Sequence, residues 1–431
     1  MKHHVRVFLS LAIAVVFASL SIATARADEV TDWNQILFQA AHIANTNPLD
    51  MSRNAAIVQS SVFDAVNGIS RRYTPIHVKP AAPWGASPRA AAIQAAYANL
   101  VRLYPAQQST LDAQRAASLA ALVGKGHGHE RQEAIDNGVH WGQEVADSIW
   151  AWRSTDGFTT ALPPFLGGTN VGQWRPTPPG FVPGFGAQYP NMTPWVIKTQ
   201  SQFRPAGTPA LTSAQYTKDF NETKSMGSLT SLTRTADQTL FSQFWNVSTA
   251  SFYWNRIALF LLGKEHHTTL EENALILAAV DVAMADAAIA CWEAKYHYVA
   301  WRPVTAIPLA DTDGNPATSA DPSWTPLLIT PPFPEYPSGH STVSAAAATV
   351  LAHYFGRNSS FMVDSDVMTG VVRSFPNFSA ALVEIVNARV YGGIHFRTAC
   401  NDGQATGTAV GEYILQHAFR RADGDERDDE D

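Results

Sequence analysis

Three short stretches in the C-terminal part of the chain carry residue types that together can hold a tetrahedral oxyanion. The first is KYHYVAWRP, residues 295–303. Lys295 and Arg302 are seven apart, close to two helical turns, so on one continuous helix they share a face. Two cations stacked on one face repel unless an anion lies between them. The second is PPFPEYPSGH, residues 331–340, with four prolines in its first seven residues. Ser338, Gly339 and His340 then open an alanine-rich helix, with Ser338 placed to cap it. The first N–H groups of a helix lack internal partners and carry partial positive charge, which makes an anion site from backbone alone. The third is ARVYGGIHFRTACND, residues 388–402. Arg389 closes a helix, Gly392 and Gly393 break it, and His395 follows out of helical phase. Each stretch alone also reads as something ordinary: cations at a helix end, a capping serine beside a surface histidine, a glycine-terminated helix. Combined, they supply fixed cations, backbone donors, and imidazoles able to move a proton or bond a central atom.

The order K-x6-R-P, P-S-G-H, R-x3-G-x-H resembles the three-part signature of vanadium-dependent haloperoxidases and type-2 phosphatidic-acid phosphatases. The match is direct over the C-terminal third. VTDWNQILFQA and NAAIVQSSVFDAVNGI, near the N-terminus, are similar to helices of secreted bacterial haloperoxidases and extend the resemblance over most of the chain. The resemblance implies an all-α helical bundle with long ordered loops. It implies vanadate as cofactor, with phosphate fitting the same site, and hydrogen peroxide and halide as substrates. His395 would be the axial ligand of vanadium. Lys295, Arg302 and Arg389 would neutralise the equatorial oxygens, aided by the Ser338 hydroxyl and the Gly339 N–H. His340 would be the acid–base group, and Lys295 would also polarise peroxide. Trp292 and Phe333 stand where chloroperoxidase-type members place pocket aromatics. Two positions depart from the pattern: Ala388 replaces a frequent serine, and Ala399 replaces the acid usual four residues after the last histidine. Asp402 is the nearest acid to that gap.

The same residues serve two chemistries. In the phosphatase alternative His395 attacks phosphorus to give a phosphohistidine and His340 protonates the leaving alcohol. Without an acid at 399 to orient the nucleophile, that path suffers more than halide oxidation. A third reading is an exported, non-catalytic oxyanion-binding protein. Two histidines in a site already rich in permanent cations argue against it.

The elements that must position these residues are helical. Apolar spacing predicts helices over residues 30–46, 54–67, 90–103, 111–122, 130–152, 236–262, 269–301, 338–355, 380–390 and 403–420. Residues 157–216 are rich in Pro, Gly and Trp, and read as an ordered segment packed over the body, at the mouth of a pocket or simply wrapping it. Residues 302–336 read as a loop, with the DTDGNP at 311–316 a turn rather than a calcium loop, since it lacks the EF-hand glycine and glutamate. Of Asp281 and Asp286, in the apolar helix before Lys295, one reads as the partner of a pocket arginine, the alternative being that both form that helix's polar edge. His127, His129, His266 and His267 have no carboxylate spacing to form a metal site and read as surface residues.

Composition sets the outer bounds. The 431 residues are 46% hydrophobic and 16% charged, with net charge −7. A basic nucleic-acid binder is excluded, and any anion site is a local concentration of positive charge. Lys2 and Arg6, an apolar run over residues 7–23, and Ala25-Arg26-Ala27 read as a signal peptide, residues 1–27. That implies a secreted or periplasmic protein free of the membrane after cleavage. Residues 28–421 then form one all-α domain, its catalytic part at about 269–420, and residues 422–431 an acidic disordered tail. Cys291 and Cys400 read as two unpaired thiols.

Overall fold

The computed structural model describes residues 28–123, 129–265 and 268–422. The predicted leader, the predicted tail beyond Ala422, and His127, His266 and His267 lie outside them. The N-terminal half forms α1 (Glu29–Ile43), α2 (Pro48–Ser70), α3 (Pro88–Leu103), α4 (Gln108–Leu122) and α5 (Gln132–Arg153). A long wrapping segment, residues 154–213, contains one 3-10 turn at Tyr189–Asn191. Then come α6 (Ala214–Met226), α7 (Ala236–Val247), α8 (Ala250–Lys264), α9 (Leu270–Tyr298), α10 (Pro303–Ala306) and α11 (Gly339–Phe355). A small antiparallel hairpin, β1 (Phe361–Asp364) and β2 (Val372–Phe375), pairs Phe361 with Phe375. Helices α12 (Phe378–Tyr391) and α13 (Arg397–His417) complete the chain. The expected all-α class holds.

Helix α9 is the axis. Thr269 and Glu272 form a capping box at its start, and nearly every side chain from Asn273 to Lys295 is buried. Its alanines let α2, α8, α11 and α13 approach on all sides. The helix is long and apolar enough to cross a bilayer, but here that apolarity is spent inside the protein. Helix α13 meets α11 through Gly403, Gly407 and Gly411, spaced one turn apart. A Cβ on Gly407 would lie 1.9 Å from the Thr342 carbonyl oxygen. Gly407→Ala is therefore expected to cost about 1–3 kcal/mol by overpacking, read as a lower urea midpoint.

Several boundaries differ from the sequence expectation. Asn47 caps α2 with Pro48 in its first turn, so that helix starts six residues before 54. The periodic stretch 236–262 is two helices, because Ser248 is extended and Thr249 caps α8. Helix α6 (AQYTKDFNETKSM) is too polar to show periodicity. The hairpin strands are only four residues long. Helix α13 starts at Arg397, not at 403. The 311–316 turn is as expected, with the Asn315 N–H donating to Asp313 Oδ1 at 2.8 Å. Both cysteines are buried and free.

The two aspartates of α9 pair with no pocket arginine, which corrects that expectation. Asp286 accepts the N–H groups of Trp195, Val196 and Ile197 at 2.7, 2.8 and 2.9 Å, anchoring the wrapping segment. Asp281 accepts from Asn255 Nδ2 at 2.7 Å. Burial lifts the carboxyl pKa to about 6 at Asp286 and about 8 at Asp281.

Candidate active site

The three stretches converge where the end of α9, the start of α11 and the α12–α13 turn meet. Lys295 lies in the last turn of α9 and is fully buried. Its Nζ donates to the carbonyls of Pro334 and Glu335, both at 3.0 Å, and to that of Pro337. It also sits over the Phe333 and Trp292 rings, 5.1 and 5.5 Å from their centroids. Burial pushes its pKa down to about 7.

Arg302 is not on that helix face. Helix α9 ends at Tyr298, Val299 turns left-handed with φ 49°, and Arg302 is extended before α10. A β-branched residue at positive φ is strained and must be held. The wrapping segment does so: Trp174 N–H donates to the Val299 carbonyl at 2.7 Å, and Trp301 N–H to that of Gly172 at 2.9 Å. Arg302 Nε donates to the Phe333 carbonyl at 2.9 Å, and Nη1 to that of Ile394 at 2.7 Å. The two cations therefore converge by tertiary packing rather than by helical phase.

Ser338 stands at the N-cap of α11 without making the expected capping bond. Its hydroxyl accepts from Ser341 Oγ at 3.2 Å, and its N–H donates to the Ala399 carbonyl at 2.9 Å. A Cβ at Gly339 would press on the Trp292 ring at 3.0 Å, so the ring would have to yield by a few tenths of an ångström. The His340 ring bonds the backbone of Trp245, at the end of α7. Burial and Arg389 hold its pKa well below the ordinary value, so it is neutral. Arg389, in the last turn of α12, donates from Nη2 to Asn246 Oδ1 at 3.3 Å.

Gly393 has φ +76°, and a Cβ on it would lie 2.4 Å from the Gly227 carbonyl oxygen. This turn delivers His395 to the site. His395 Nδ1 is 2.9 Å from Glu335 Oε1, which also accepts the Phe396 N–H at 2.9 Å. An acceptor at Nδ1 places the ring proton there and leaves Nε2 as a lone pair. Arg302 Nη1 lies 3.1 Å from that Nε2. Burial, then the Arg302 charge, keep the imidazole neutral. Asp402 instead accepts from the Tyr336 hydroxyl at 2.6 Å, so the nearest acid in sequence is not the partner.

Of the residues expected at the site, Gly339, His340, Arg389, His395, Trp292 and Phe333 line one cavity of about 310 Å³. Lys295, Arg302 and Ser338 stand behind this lining. Pro332, Leu49, Val343 and Phe185 add apolar wall. Phe185 comes from the wrapping segment and is 37% exposed, so that segment edges the pocket mouth. Its carbonyl accepts from Trp292 Nε1 at 3.1 Å. Glu335, Asn246, Trp245 and Phe185 were missed as site residues. Only Glu335 left a signal, a lone charge among prolines.

Four buried nitrogens around this site have no hydrogen-bond partner: Arg302 Nη2, His340 Nε2, and Arg389 Nε and Nη1. The three arginine nitrogens are unpaired buried donors on permanent cations, which is costly, and a bound anion would satisfy them; the neutral His340 Nε2 stays open to exchange a proton. No carboxylate among the described residues lines the cavity. Among the described residues no cluster of three or more His, Cys, Asp or Glu could hold a bare metal cation. The residues present fit a tetrahedral oxyanion such as vanadate.

Residues 275–424 match the VCPO second helical-bundle domain. A crystal structure described as the first bacterial vanadium-dependent iodoperoxidase superposes with a TM-score of 0.77 at 28% identity, over 91% of this chain and 97% of that one. The chain is thus similar to vanadium haloperoxidases in its C-terminal helical bundle and in its fold. Another relative is the vanadium chloroperoxidase of Curvularia inaequalis, 31% identical over 189 residues. That alignment covers 36% of this chain and 30% of the relative, so it spans less than a third of that protein. The holo-type bacterial vanadium-dependent chloroperoxidase, at 18% identity and a TM-score of 0.64 over 92% of this chain and 94% of that one, shares the haloperoxidase fold.

Proposed function

We propose that this protein is a vanadate-dependent haloperoxidase, oxidising halide with hydrogen peroxide to hypohalite-type species. The observation that carries the reading is the set of unpartnered arginine and histidine nitrogens around a cavity with no carboxylate among its described lining residues. Vanadate, when bound, would supply a Lewis-acid centre that activates peroxide toward halide without changing oxidation state. His395 Nε2, fixed by its partner on Nδ1, would be its protein ligand. Arg302 and Arg389 would satisfy its oxygens through their free N–H groups, with Lys295 adding charge from behind. The Gly339 N–H, in the first turn of α11, and the Ser338 hydroxyl would add donors. His340, neutral and free at Nε2, would take a proton from peroxide and return it to the departing water. One further proton comes from solvent, balancing peroxide plus halide plus proton to hypohalous acid plus water. Trp292, Phe333 and Phe185 would limit water around the halide.

Bromide oxidation with peroxide and orthovanadate, run beside aryl phosphate hydrolysis without vanadate, tests this. Vanadate-dependent oxidation is the expected result, and phosphate release without it would overturn the reading.

We also propose one domain over residues 28–421, with the catalytic part at about 269–420, because one apolar core draws on α1–α5, α7–α9 and α11–α13 together. Export to the periplasm or medium is proposed from the leader pattern. Asp28, directly after the expected cleavage site, caps α1 through the N–H groups of Val30 and Thr31.

A further inference from the structure

We infer that Glu335 is the positioning residue of His395, filling from a distant stretch the place left by Ala399. The inference rests on the vanadate reading of the site only for its consequence, not for its geometry.

Glu335 touches all three signature stretches. Its N–H donates to the Ala300 carbonyl at 2.9 Å, just before Arg302. Its own carbonyl accepts from Lys295 Nζ at 3.0 Å. Its carboxylate accepts from His395 Nδ1 and the Phe396 N–H, each at 2.9 Å. The side chain is 1% exposed. A carboxylate that deep is costly unless bonded and faced by cations: burial pushes its pKa up to about 7, and Arg302, the Phe396 N–H and Lys295 act against that rise.

The ring needs such a partner. Arg302 Nη1 lies 3.1 Å from Nε2 and 3.5 Å from Nδ1, so it can donate to either nitrogen. Arg302 alone therefore leaves the tautomer undecided. Glu335 decides it, because an acceptor at Nδ1 forces the proton there and frees Nε2 as a ligand. Ala399 is buried, and Glu335, Phe396 and Ala399 border the same second cavity of about 290 Å³. A carboxylate introduced at 399 would enter the space Glu335 borders, which makes relocation a test.

The test uses the vanadate-free full chain and its E335Q, E335A and E335A/A399D variants. Orthovanadate affinity is read by titration of tryptophan fluorescence, with Trp292 in the cavity. The His395 tautomer is read by NMR of 15N-histidine-labelled protein without vanadate. In the wild type Nε2 is expected unprotonated. E335Q keeps the acceptor but not the charge, and should retain the tautomer while binding vanadate about tenfold more weakly. E335A should mix the tautomers and bind about 10–100-fold more weakly. E335A/A399D should recover part of both. Should E335A not fold, E335Q decides through affinity. Wild-type affinity in E335Q and E335A, or an unchanged tautomer in E335A, would overturn the inference, including where melting temperature alone falls. If the wild type itself fails to bind vanadate, the functional reading fails instead, and the tautomer in E335A still judges Glu335.

Discussion

His395→Ala is expected to abolish vanadate-dependent bromide oxidation, by roughly 10³-fold or more, exceeding the 10²–10³ typical of losing one oxyanion donor. The cause is specific. Among the described groups lining the cavity, the imidazoles of His340 and His395 offer a neutral nitrogen lone pair, and of the two His395 has a carboxylate holding its other nitrogen. Arginines can neutralise an oxyanion but cannot ligate its central atom. The variant should therefore lose vanadate on gel filtration while still binding phosphate measurably, since Arg302 and Arg389 remain. Truncating a buried ring also leaves Glu335 with one donor fewer, costing about 1–3 kcal/mol. Thermal unfolding separates that penalty from the functional loss. Retained vanadate and activity in a folded His395→Ala protein would remove His395 from the ligand role.

The residues that bear charge or lone pairs were legible because chemistry constrains their types. Lys295, Arg302, Arg389, His340 and His395 were all recognisable in the sequence, and the structure gathers them. What was not legible is how they are held. Helical phase brings Lys295 and Arg302 together on paper, whereas a strained Val299 and backbone bonds from residues 172–174 do so in fact. The orienting acid was sought near His395 in sequence, at Ala399 or Asp402. It comes from sixty residues upstream, because the loop before α11 folds against the turn before α13. Asn246 and Trp245 support the site from the end of α7, a boundary hidden inside one apolar period. The fold followed the same division. Long apolar helices such as α9 announced themselves, and the polar α6 and the four-residue strands did not. The presence of Glu335 also removes the handicap expected for a nucleophilic His395, so the paired oxidation and hydrolysis assays carry the distinction between the two chemistries.

His340→Ala is expected to do the reverse of His395→Ala: vanadate binding persists while turnover falls by about 10²–10⁴-fold, the range for loss of a general acid–base group. His340 lines the cavity with Nε2 unpartnered, and burial together with Arg389 keeps the ring neutral. A neutral ring adds little to anion binding beside Arg302 and Arg389, so its removal should leave the vanadate dissociation constant nearly unchanged. Its value lies in proton transfer, which needs a free nitrogen on the cavity wall. The truncation leaves a ring-sized space opening onto that cavity, so added imidazole should restore part of the lost turnover in the alanine variant and none in His395→Ala, where the cofactor itself is not retained. Fluorescence titration gives the binding constant and peroxide-saturated bromide oxidation gives kcat. A fall in affinity as large as the fall in kcat would make His340 a binding residue and would reassign the proton transfer to another group.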